Sequence, residues 1–109
     1  MHKQPIRYEG QVSYWRSSRD EAPGIIRISD DAITFQSYGM SLVQASFEIA
    51  MEDILRCERL KSFLFIRNKL KIETVHGEEY VITTWDRERI LHRLSSVLDR
   101  VGANENVKV

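Results

Sequence analysis

Anion recognition is the chemistry that most of the reactive side chains in this sequence would serve. The densest set is Lys61-Ser62-Phe63-Leu64-Phe65-Ile66-Arg67-Asn68-Lys69-Leu70-Lys71. Lys61, Arg67, Lys69 and Lys71 flank the apolar run Phe63, Leu64, Phe65 and Ile66. Such a run can enter a membrane interface while its cations meet anionic lipid headgroups, each worth about 1 kcal/mol near such a surface. The same residues also suit a strand with Phe63 and Phe65 turned inward, or a contact patch for a protein partner. Arg16, Arg19 and Arg27 form a second cationic set. Their planar forks can donate paired hydrogen bonds to phosphate oxygens. Asp20 and Glu21 lie in the same stretch, so ion pairing within it is the plain alternative.

Catalytic chemistry finds little to work with. His2, His76 and His92 are scattered, and Glu88 with His92 gives two ligands one turn apart, short of a metal site. Cys57 sits among strand-forming residues with no histidine partner in the pattern, and reads as a small buried hydrophobe. No glycine-rich loop leads into a helix, so nucleotide binding of the common kinds is not expected. Trp15 and Trp85 read as packing or interface anchors. The expectation is a binding module rather than an enzyme, with no cofactor and no metal.

The elements that must position these residues belong to one domain. The chain has 109 residues, with 16 Lys+Arg balanced by 16 Asp+Glu. A formal charge of zero excludes a broadly cationic surface of the kind that holds nucleic acid by neutralising phosphates. The charge is nevertheless blocked. Asp30, Asp31, Glu48, Glu52 and Asp53 make residues 30–55 acidic, and residues 56–71 carry Arg56, Arg59, Lys61, Arg67, Lys69 and Lys71 against Glu58. No apolar run approaches the ~18–20 residues that span a bilayer. Met1-His2-Lys3-Gln4-Pro5 is polar, unlike a signal peptide. A single cysteine fits a reducing, cytoplasmic setting, peripheral to a membrane where the lipid reading applies.

Period-two alternation dominates the chain. Tyr8, Gly10, Val12 and Tyr14 alternate, then Arg16 to Gly24 has a loop composition. Ile26 and Ile28 share a face, Ser29-Asp30-Asp31 turns, and Ile33 and Phe35 resume the inward side until Gly39. Val43, Ala45, Phe47 and Ile49 alternate with polar residues, and a strand from Ile54 to Leu60 follows a short Met51-Glu52-Asp53 connection. Leu70, Ile72 and Thr74 face one way; His76-Gly77 turns the chain into Tyr80, Ile82 and Thr84. Asp86 can cap a helix ending at Gly102, on which Ile90, Leu91, Leu94, Val97, Leu98 and Val101 fall within an arc of about 120°. The domain is expected over residues 1–103, with 104–109 a loose tail.

In order and spacing, four segments resemble a GRAM-type domain of the pleckstrin-homology-like superfold. They are Gly24 to Phe35, Phe47 to Ile54, Leu70 to Ile82, and Asp86-Arg87 with Ile90 and Leu94. The resemblance implies a mainly β fold: a seven-stranded, bent β-sandwich or barrel capped by one C-terminal α-helix. It also implies an adaptor that binds anionic, phosphoinositide-like lipid. The competing reading is a protein-interaction or homo-oligomerisation module.

Overall fold

The computed structural model describes residues 5–40, 42–60 and 68–100. Seven strands precede one helix: β1 (Ile6–Trp15), β2 (Glu21–Ser29), β3 (Ala32–Ser37), β4 (Ser46–Ala50), β5 (Ile54–Leu60), β6 (Asn68–Thr74), β7 (Glu79–Thr84) and α1 (Arg87–Arg100). A 3-10 turn, Met51–Asp53, joins β4 to β5. The strands form one antiparallel sheet in the order β4-β3-β2-β1-β7-β6-β5. β4 and β5 are its two edges among the described residues, so the sheet bends without closing into a barrel.

The alternation read from the sequence sets the faces. Val12, Ile26, Ile28, Ile33, Phe35, Ile49, Ile54, Leu70, Ile72 and Ile82 are buried on the inner face. The expected loop from Arg16 to Gly24 is shorter than its composition implies. β2 already begins at Glu21, opposite Trp15, and carries Pro23 and Gly24 within the ladder. Gly24 is there for clearance rather than for a turn. A Cβ on it would lie 2.2 Å from the Gln36 carbonyl oxygen and 2.6 Å from the Ser37 Cα. Gly77 is the residue that turns the chain, at φ 86°, and Thr74 Oγ1 accepts the His76 and Glu78 amides across that turn.

The two ends of the sandwich are closed differently. One end is filled by the rings of Tyr14, Phe35, Phe47 and Tyr80, with Phe47 and Tyr80 centroids 4.5 Å apart. The other is covered by α1, which buries Ile90, Leu91, Leu94, Val97 and Leu98. Polar contacts pin that helix along its length. At its start the Tyr8 hydroxyl donates to the Asp86 carboxylate at 3.0 Å, and the Asp86 backbone carbonyl accepts the Ile90 amide. Arg87 donates to the Leu60 and Lys69 carbonyls at 3.1 and 3.2 Å, while Arg59 grips Glu88 through two bonds of 2.8 and 2.7 Å. At the far end Asp30 accepts from both Arg7 and Arg100. The expected tail and helix stop at Gly102 lie outside the described residues.

These clamps should make the fold lose stability in acid. The Arg7 and Arg100 guanidiniums hold the Asp30 carboxyl below its ordinary 3.8, and Arg59 and Arg87 hold Glu88 below 4.5. A depressed carboxyl contributes its stability fully above its unfolded value and loses it as pH falls through the folded one. Urea midpoints should therefore be flat near neutrality and fall below the ordinary carboxylate range. An Asp30→Asn/Glu88→Gln protein should show a lower midpoint at pH 7 and a weaker acid decline. An unchanged pH profile in that variant would remove the helix clamps from this account.

Candidate docking surface

Among the described residues, the sequence-predicted cations do not converge on one site. Lys61, Phe63, Leu64, Phe65, Ile66 and Arg67 lie outside the described residues. Lys69 stands half-buried in β6 opposite Thr83. Lys71 lies among three carboxylates, with Nζ 3.9 Å from Glu58, 3.6 Å from Glu73 and 3.7 Å from Glu79. Arg27 is paired with Glu9 across β1 and β2. Such pairs lower the positive field that an incoming anion would meet.

Arg16 and Arg19 stand apart from this set. Both are exposed in residues 16–20, the loop between β1 and β2. Arg16 lies 3.6 Å from Asp20 and also donates to the Gln44 carbonyl at 3.5 Å. That second bond joins the β1–β2 loop to residues 38–45, between β3 and β4. Among the described residues Arg19 makes no ion pair; its amide donates to Ser17 Oγ.

The loop that Arg16 touches has a built base. The Gln44 side-chain amide donates to the Tyr38 carbonyl at 3.1 Å and the Gly39 carbonyl at 3.4 Å. The Ser37 hydroxyl donates to Gln44 Oε1 and accepts the Ala45 amide, while the Ser37 amide donates to the Ala45 carbonyl at the mouth. Beyond this base, Met40 is 97% and Leu42 103% exposed, with Tyr38 at 38%. In the sequence, only Gly39 marks this loop, as a break in the strand pattern. The available signal was two apolar side chains placed in a turn, where nothing in the alternation would bury them.

Tyr38 also borders a groove of about 150 Å³ on the outer face of the sheet, with Pro23, Thr83 and Trp85 among its walls. Trp85 is 77% exposed there, while the Trp15 indole N–H is tied to Thr83 Oγ1 at 3.1 Å. Cys57 is buried, and burial pushes its thiol up to about 12, so it is protonated and unreactive at neutral pH. Among the described residues no group of three or more His, Cys, Asp or Glu side chains is placed to hold a metal ion. No described helix is long and apolar enough to cross a membrane.

No protein-family model matches the chain, and no curated protein does. Solved structures do. The hSac2 domain from the human phosphoinositide phosphatase Sac2 superposes with a TM-score of 0.73 at 10% identity, covering 97% of this chain and 76% of that one. The C-terminal domain of an unknown protein from Leishmania infantum gives 0.72 at 17% identity, covering 90% and 84%. The structure of human RhoA with the DH/PH fragment of PDZRHOGEF gives 0.68 at 11% identity, covering 89% of this chain and 29% of that chain. At such identities the likeness is one of fold, and the fold is PH-like: seven antiparallel strands in one bent, open sheet with a C-terminal helix.

Proposed function

We propose that this chain is a non-enzymatic, GRAM-type PH-like adaptor that recognises anionic lipid surfaces weakly, in the cytoplasm and at the periphery of a membrane. The Arg16 to Gln44 bond carries the reading, because it sets two loops side by side at one edge of the fold. Arg16 and Arg19 then lie next to an exposed apolar loop. The affinity is weak because Asp20 already shares Arg16. PH-like neighbours that include a domain of a phosphoinositide phosphatase fit a binding role.

A second reading, a protein partner or another copy of the chain, is favoured by the exposed Trp85 beside its groove, since tryptophan is enriched at protein interfaces. Flotation with neutral and anionic vesicles at about 0.15 M salt, where screening acts over ~8 Å, separates the two. The expected result is flotation with anionic vesicles alone, reduced severalfold by Arg16→Glu/Arg19→Glu. A protein with Lys61, Arg67, Lys69 and Lys71 all changed to Glu is the second arm. Loss of binding there, with the Arg16/Arg19 variant unaffected, would move the surface to residues 61–71. Flotation with neither vesicle type would overturn the lipid reading in favour of a protein partner.

A further inference from the structure

We infer that Met40 and Leu42 act as a membrane wedge: they enter the interfacial zone of an anionic bilayer, with Tyr38 at headgroup depth and Arg16 and Arg19 at the rim. The inference rests on the lipid reading above and adds to it an inserting element among the described residues, distinct from Phe63–Ile66.

Three observations carry it. The first is shape. Met40 and Leu42 stand out from the surface at 97% and 103% exposure, so they form a convex tip. A deformable bilayer accepts a convex apolar tip without supplying a pocket, whereas a protein partner would need a matching cavity. The second is order. Gln44 ties the Tyr38 and Gly39 carbonyls, and Ser37 and Ala45 close the mouth, so the base of the loop is bonded into one shape. A side chain already held outward loses less freedom on insertion than one that must first leave a collapsed loop.

The third is charge. From Gln36 to Ser46 the sequence has no charged residue, in a chain where charged residues make up 29%. No carboxylate of that segment would be dragged towards anionic headgroups, and the loop that it touches supplies Arg16 and Arg19 against the single carboxylate of Asp20. Tyrosine at the collar suits a depth where one end of a side chain is apolar and the other wet. An apolar tip, an aromatic collar and a cationic rim together complement an anionic lipid interface.

The test uses the whole chain and vesicles of phosphatidylcholine with and without phosphatidylserine. Met40→Ser/Leu42→Ser keeps every charge and alters two side chains that touch little, so its thermal midpoint should match the parent. Its partitioning into anionic vesicles should fall roughly tenfold, the worth of two apolar side chains partly withdrawn from water. In parallel, Leu42→Cys labelled with a polarity-sensitive fluorophore should brighten and shift to the blue on those vesicles; the buried Cys57 should stay unlabelled. Parent and Ser variant floating equally, with an unshifted label, would overturn the wedge and leave the lipid reading standing. A parent that does not float would remove both.

Discussion

Gly24→Ala should cost this fold about 3 kcal/mol or more, at the upper end of what overpacking does. On a domain of this size that is a fall in thermal midpoint of more than about 10 °C. The position is unusual because Gly→Ala in a strand ordinarily helps, by restricting the unfolded chain. Here the new methyl would sit 2.2 Å from the Gln36 carbonyl oxygen and 2.6 Å from the Ser37 Cα. Both obstacles are backbone, so no side-chain rotation relieves them. β3 would have to move, and it is bonded on its other side to β4 through the pairs from Gln36↔Ser46 to Ala32↔Ala50. Gly10 is the control. A Cβ there meets the Tyr8 hydroxyl at 2.4 Å, the far end of a side chain that can swing. Gly10→Ala should therefore cost less, mainly through the Tyr8 to Asp86 bond. Differential scanning calorimetry of the two variants decides it: equal midpoints for Gly24→Ala and the parent would mean that β2 and β3 are not this close.

Leu94→Ala should be comparably severe, for a different reason. Leu94 is fully buried in the middle of α1, among the residues of the single hydrophobic core. Emptying such a site costs about 2–5 kcal/mol, according to how far the surroundings collapse. Collapse is restricted here, because α1 is held at one end by Arg59 and Tyr8 and at the other by Asp30. The cavity should therefore persist, and the loss should lie in the upper half of that range. His92→Ala, on the exposed side of the same helix, should change stability by less than about 0.5 kcal/mol. Urea unfolding read by circular dichroism tests the pair. A Leu94→Ala midpoint equal to that of His92→Ala would show that the helix contributes little to the core.

Much of the architecture was legible because it is repeated locally. Val43, Ala45, Phe47 and Ile49 against Gln44, Ser46 and Glu48 show on which side β4 is wet. Ile90, Leu91, Leu94, Val97 and Leu98 mark one helical face, and all five are buried. The His76-Gly77 turn is a two-residue signal with a two-residue cause. Pro23-Gly24 shows the limit of such reasoning. The dipeptide has the composition of a turn, yet it lies inside β2, since what demands the glycine is Gln36 of β3, twelve residues later.

The candidate site was less legible, because charge and exposure are settled between distant residues. Spacing identified Arg16, Arg19, Arg27 and Lys71 as cations, but not their partners. Glu9 reaches Arg27 across 18 positions, and Arg100 meets Asp30 across 70. Lys71 looked like part of a basic block until β5, β6 and β7 placed Glu58, Glu73 and Glu79 around it. The strand and helix periodicities, the turn at Gly77 and the absence of net charge follow from the order of residues alone, since each depends on neighbours within a few residues or on a sum. The tertiary structure alone decided that the sheet stays open, which cations are neutralised, and that Met40 and Leu42 face water, because each of those depends on which strands lie side by side.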